Sequence, residues 1–169
     1  MAYSCSFKPL LLFLLFFIAT SQARDSITTH LHFFLHENYI SPNATSITVV
    51  NSTNNNPGGF GRIWIFDYEL REGSSANSKL IGRAQGMAPE VSLGQRAWSV
   101  LIDFVFTDGE YNGSSLTAAG RATFGGPIER SIIGGTGNFR MARGYTINTL
   151  QYGDLAGHVI AEYDAYVVH

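Results

Sequence analysis

Three histidines at even spacing, His30, His32 and His36, with Glu37 directly behind the last, are the first residues of this chain that could do chemistry. Two histidines and a glutamate form a donor set suited to a divalent cation such as manganese. A strand, however, sends successive side chains to opposite faces. The imidazoles then share one face, while Glu37 lies on the other beside Leu31, Phe33 and Leu35. The alternation favours solvent-facing histidines over a metal site, and no metal or other cofactor is expected.

Carboxylates in apolar company are the other candidates. Glu37 keeps the company just described, Asp67 follows Ile63 and Ile65, and Asp103 alternates with Leu101 and Val105. Burial disfavours the charged form, so it raises a carboxylate's pKa and makes it a useful proton donor or acceptor inside a cavity. Glu37 and Asp67 are therefore expected as catalytic pocket carboxylates, and Asp103 as a substrate contact. The competing reading is that each ends a strand or is neutralised by an arginine. Two Trp, eight Tyr and twelve Phe suit a lumen for a flat phenolic ligand, although core packing uses aromatics equally well.

Nucleophilic catalysis finds no support. The single cysteine, Cys5, lies in a leader, and the chain has no Gly-x-Ser-x-Gly elbow. Gly134-Gly135-Thr136-Gly137 invites comparison with a phosphate loop, but that needs a helix behind the glycines and a Lys or further glycine in register. Instead Phe139, Met141, Arg143 and Tyr145 alternate with Arg140, Ala142 and Gly144, which predicts a strand directly after the turn.

The elements that must position these residues begin after the leader. Lys8 precedes an apolar run from Leu10 to Ala19, and Ser21-Gln22-Ala23 carries small residues where a signal peptidase reads. The run is too short to span a bilayer, so residues 1–23 are expected as a signal peptide and 24–169 as one domain. Eleven Lys and Arg against thirteen Asp and Glu, with the basic residues scattered, give no footprint for nucleic acid or an anionic membrane. The sequons at Asn43, Asn51 and Asn112 sit beside turn-forming residues and are expected to carry glycans in a secreted chain.

Short alternating runs fill the rest: 27–37, 45–50, 60–67, 79–87, 97–107, 115–123, 128–133, 138–150 and 158–168. Turn signals such as Thr107-Asp108-Gly109 and Phe124-Gly125-Gly126-Pro127 bound them. Eight or nine strands without a capped helical period predict an antiparallel all-β domain, and a closed barrel leaves no exposed edge.

Several motifs occur in one order. They are Leu31-His32-Phe33-Phe34-Leu35-His36, then Phe60-Gly61-x-Ile63-x-x-x-Asp67, then Ser78 to Gly86, then Phe104 to Leu116, and last the glycine turn with Ala142-Arg143-Gly144-Tyr145. Together they resemble the plant dirigent proteins over nearly the whole mature chain. The cysteine-free ending resembles the disease-response, dirigent-like subgroup. The resemblance implies an eight-stranded antiparallel β-barrel of the allene oxide cyclase kind. It implies a homo-oligomer, a trimer or a dimer, secreted to the apoplast.

It also implies a function. Dirigent proteins hold phenoxy radicals of the coniferyl alcohol type, made by a separate laccase- or peroxidase-type oxidase, so that coupling is stereoselective in lignan biosynthesis. On that reading the chain is a stereo-directing auxiliary rather than an enzyme. The alternative is a dehydrating cyclase of the pterocarpan synthase type acting on an isoflavonoid. A third reading, a cupin-like metal oxidase, rests on His30, His32 and Glu37. Carried over residue by residue, the first-strand carboxylate falls on Glu37 and a pocket tyrosine becomes Ala88. A pocket arginine becomes Ile128, with Arg130 displaced by two onto the same face. Arg130 is thus expected to bind substrate.

Overall fold

The computed structural model describes residues 26–40, 42–52, 59–154 and 157–169. The expected signal peptide, residues 1–23, lies outside them. Nine strands follow one another: β1 (Thr28–Asn38), β2 (Ser46–Val50), β3 (Ile63–Arg71), β4 (Leu80–Pro89), β5 (Ala97–Phe106), β6 (Ser115–Thr123), β7 (Ile128–Thr136), β8 (Arg143–Gly153) and β9 (His158–Val168). Each hydrogen-bonds antiparallel neighbours in the order β1-β9-β8-β7-β6-β5-β4-β3-β2. Phe34–His36 of β1 also pair with Glu69–Arg71, while β2 takes the other half of β3, from Ile63 to Phe66. Two segments thus share one side of β3, and nine strands close an eight-stranded barrel, the expected fold.

Alternation decides what fills it. Inward positions on β1, β3 and β5 are large: Phe33, Leu35, Phe66, Tyr68, Leu70, Ile102, Phe104 and Phe106 are buried. Inward positions on β4, β6 and β9 are largely small, among them Ala84, Ala118, Ala122, Ala161 and Ala165. Bulky walls facing slim ones pack without overfilling. Phe33, Phe104 and Tyr163 meet at the centre, with ring centroids 5.1–5.7 Å apart.

The two ends differ. At the base, where β5, β7 and β9 finish, Phe139 packs on Tyr111 (4.8 Å), His169 (5.1 Å) and Phe106 (5.7 Å). His169 is tied down by backbone bonds exchanged with Ile27 at 2.8 and 3.0 Å. The glycine turn belongs here. A Cβ on Gly137 (φ 60°) would sit 2.5 Å from Ser114 Oγ, the oxygen that accepts the Asn138 amide at 3.1 Å.

The strand expected directly after this turn starts later, at Arg143. Gly137–Phe139 form a 3-10 turn, which swings Phe139 into the core and leaves Met141 at φ 67° and 80% exposed. The large–small alternation there comes from a turn that plugs the barrel, with Phe139 and Ala142 buried three residues apart.

Candidate functional site

The opposite end is the mouth, where β1 ends and β7 begins. Five strands and the residue just past β1 bring polar side chains together inside it. From β1, Glu37 continues the inward row Leu31, Phe33, Leu35. Beyond the strand, Tyr39 keeps the same parity, and its hydroxyl donates to Glu37 Oε2. From β3, the Tyr68 hydroxyl donates to Tyr39 Oη at 3.2 Å. From β7, Arg130 is 6% exposed, and its Nη1 donates to Asn148 Oδ1 on β8 at 2.6 Å and to Tyr163 Oη on β9 at 3.2 Å. The structure therefore brings Glu37 and Arg130 into one lumen.

Electrostatics set the proton inventory. Burial pushes Glu37 up from 4.5 to about 7, against the opposing pull of the Tyr39 hydrogen bond and the Arg130 charge. Glu37 keeps some accessible surface at the end of its strand, yet the protein atoms around its carboxyl strip most of its hydration. That desolvation dominates. Burial likewise pushes Tyr39, Tyr68 and Tyr163 upward, so these phenols stay protonated; Tyr39 and Tyr68 donate, while Tyr163 accepts from Arg130. A carboxyl titrating near neutrality can give a proton and take one back.

Unspent donors mark the same region. Arg130 Nε and Thr146 Oγ1, whose residues are register partners on β7 and β8, are buried and have no hydrogen-bond partner among the described residues. Neither has Trp64 Nε1 on β3. Buried donors normally find partners, so these three atoms suit acceptor oxygens on a ligand. Around them, Ala88 on β4 and Gly120 on β6 leave the wall slim; a Cβ on Gly120 would come within 3.1 Å of the Arg130 side chain.

At the rim, Glu90 is fully buried. Its Oε1 accepts from Arg96 Nη2 at 2.8 Å and lies 3.7 Å from Arg62 Nη1. Each arginine lies over an indole: Arg62 is 5.9 Å from the Trp64 ring and Arg96 is 5.4 Å from Trp98. This ion cluster props the two tryptophans at the opening.

Two expected carboxylates are corrected. Asp67 and Asp103 point out of the barrel, because Phe66 and Tyr68, and Ile102 and Phe104, take the inward positions beside them. Asp67 accepts from Arg83 Nε at 2.7 Å, and Asp103 accepts from Thr117 Oγ1 at 2.5 Å. Strand β3 is apolar on both faces, so Ile63 and Ile65 marked the outer one. His30 and His32 are also outside, paired with Asp164 and Glu162 at 2.7 Å, with the sheet between them and Glu37. The three sequon asparagines, Asn43, Asn51 and Asn112, are exposed.

Sequence reasoning missed Tyr39, Tyr68, Asn148, Tyr163 and Glu90. For Tyr39 a signal existed, two residues past Glu37 and so on its face. Tyr163 and Tyr68 read as core aromatics, and nothing local marks Glu90.

Comparison with known proteins narrows the chemistry. The sequence model described as dirigent-like protein matches residues 28–168. Pterocarpan synthase 1 of Glycine max is 35% identical, with both chains covered completely. Dirigent protein 11 of Arabidopsis thaliana is 36% identical over 83% of this chain and 74% of its own. The solved structure of a pterocarpan synthase dirigent protein superposes with a TM-score of 0.78 at 33% identity, covering 88% of each chain. Synthases are enzymes. Relatives of this kind overturn the expectation of an auxiliary protein without catalysis of its own.

Proposed function

The chain belongs to the dirigent-like protein family, and from that premise we propose that it is a dehydrating cyclase of the pterocarpan synthase type, closing an oxygen ring on an isoflavonoid alcohol. The observation that carries this reading is the placement of Glu37 on the inward row, bound by Tyr39 and in the field of Arg130, where burial pushes its carboxyl up to about 7.

Protonated Glu37 gives its proton to the leaving hydroxyl of the substrate, the C–O bond breaks, and water departs. The electron pair that compensates comes from a phenolate oxygen of the same substrate, already ionised when the C–O bond breaks. That oxygen becomes the carbonyl of a quinone methide and is stabilised by donors such as Arg130 Nε. A second phenol oxygen then adds to the electron-poor carbon, forming the new C–O bond; the carbonyl oxygen takes its electron pair back and is phenolate again, and the proton of the second phenol returns to the Glu37 carboxylate. Substrate becomes product plus water. No oxidant is consumed, so this reading needs no partner oxidase.

The small side chain of Ala88 supports room for a flat polycyclic substrate, Gly120 makes way for the Arg130 stem, and the aromatic wall supports stacking. In a chain secreted to the apoplast, the exposed sequon asparagines are accessible to glycans. An exposed apolar row, Ile47, Ile65, Met87 and Leu101, in register across four strands, supports assembly of copies of this chain.

The test is turnover of a hydroxylated isoflavanol by the purified protein without oxidant, followed by chiral chromatography. One enantiomer of ring-closed product is expected, with Glu37→Gln lowering kcat by about 10²-fold or more. Equal turnover by Glu37→Gln would sink the assignment. Stereoselective coupling of coniferyl alcohol, seen only with added oxidant, would replace it.

A further inference from the structure

The hydrogen bonds around Glu37 form a directed chain that the cyclisation does not itself use. The Tyr68 hydroxyl donates to Tyr39 Oη, which commits the Tyr39 proton to Glu37 Oε2. Tyr68 is 7% exposed and Tyr39 is 43% exposed, so the chain runs from the barrel interior to the solvent edge of the mouth. Tyr39 is held from both sides. Its amide donates to Gly157 O at 2.9 Å, and the preceding Asn38 is pinned by Thr45 Oγ1 (2.9 Å) and Asn43 O (3.0 Å). The rings of Tyr39 and Tyr68 meet edge to face at 6.2 Å, which fixes the hydroxyls relative to one another.

We infer that Tyr39 is the positioning residue of the lumen carboxyl: fed by Tyr68, its hydroxyl holds Glu37 Oε2 and leaves Oε1 to present the proton to the substrate. This inference rests on the proposed cyclase reading for its kinetic consequence, though not for its structural one. A carboxyl held by one oxygen has a single productive orientation, and effective proton transfer depends on that orientation. Successive hydroxyl donors also polarise one another, which strengthens the bond to the carboxylate.

The groups facing Glu37 are Tyr39 on its own segment, Tyr68 from β3, Arg130 from β7 and Tyr163 from β9. The Tyr39 hydrogen bond and the Arg130 charge both favour the ionised form of Glu37. Loss of the Tyr39 hydroxyl therefore moves the carboxyl titration upward, by about one pH unit for a charge-assisted hydrogen bond.

Two readouts separate this inference from the cyclase reading. First, the Glu37 carboxyl, labelled with carbon-13 and identified by its loss in Glu37→Gln, is titrated by NMR without substrate in the wild type, Tyr39→Phe and Tyr68→Phe. Tyr39→Phe is expected to shift the midpoint upward, and Tyr68→Phe to shift it the same way by less. An unmoved or lowered midpoint in Tyr39→Phe overturns the inference. Second, on an isoflavanol substrate, Tyr39→Phe is expected to lower kcat about tenfold with KM unchanged, and to move the alkaline limb of the pH profile up with the NMR midpoint. A loss confined to KM overturns it. A wild type without turnover whose NMR midpoint still responds to Tyr39→Phe removes the cyclase and keeps the positioning role. Should Tyr39→Phe fail to fold by circular dichroism, Tyr68→Phe decides, since an unmoved midpoint there breaks the chain.

Discussion

The base and the mouth of this barrel are made of the same alternating strands, yet they follow opposite rules. At the base, Phe106, Tyr111, Phe139 and His169 stack into a plug, and the hydroxyls and amides around them have partners, as Ser114 with Asn138 and Thr29 with His169. At the mouth, a carboxyl, a guanidinium and three tyrosines share the lumen, and Arg130 Nε, Thr146 Oγ1 and Trp64 Nε1 are left over. Polar groups without partners cost stability. The barrel carries that cost at one end only, and the closed, satisfied end supplies the rigidity that holds the other in position.

Substitutions at the two ends should then fail in different ways. The largest effect is expected from Phe139→Ala at the base, a loss of about 3–5 kcal/mol on removing a fully buried ring, with kcat unchanged in the fraction that stays folded. Thermal denaturation beside active-site titration checks it; a kcat loss matching the stability loss would erase the division of labour.

Next comes the rim. Arg96→Met leaves the fully buried Glu90 with Arg62 alone at 3.7 Å and should cost about 2–3 kcal/mol, less than for a fully buried pair because Arg96 is itself half-exposed. Urea unfolding measures it.

A smaller effect sharpens the comparison through pH. Glu37 takes up its proton more readily folded than unfolded, since burial raises it from 4.5 to about 7. Its contribution to stability is full below 4.5 and declines as pH rises through about 7. Glu37→Gln should therefore flatten the fall in Tm between pH 4.5 and 7, while Phe139→Ala keeps its slope. Identical slopes in the wild type and Glu37→Gln would place the carboxyl in ordinary water.

The smallest effect belongs to the outer face. Asp67→Asn should change stability by under about 1 kcal/mol and kcat by less than twofold, because its partner Arg83 is solvent-facing. A large activity loss would restore Asp67 to the site.

Much of the barrel was legible locally. Eight or nine strands, their turns, and the sharing of one face by Glu37 and Phe33 all follow from a period of two. The strand expected from residue 138 was not legible, because a 3-10 turn happens to place large residues at alternating positions in the text. Asp67 misled for a related reason. Both faces of β3 are apolar, one against the core and one exposed, so the pattern could not say which was inside.

The sequence by itself determined the backbone periodicity, the glycine turn, the position of Glu37 on an inward row and the family, since each is carried by residues close together in the chain. Only the tertiary structure decided that Glu37, Tyr39, Tyr68, Arg130, Asn148 and Tyr163 share a lumen, and that Asp67 and Asp103 do not. Closure joins residues 140 positions apart in the chain, as Thr29 to His169 shows. The pKa of a carboxyl depends on who surrounds it, and that is set by closure rather than by its neighbours in the chain.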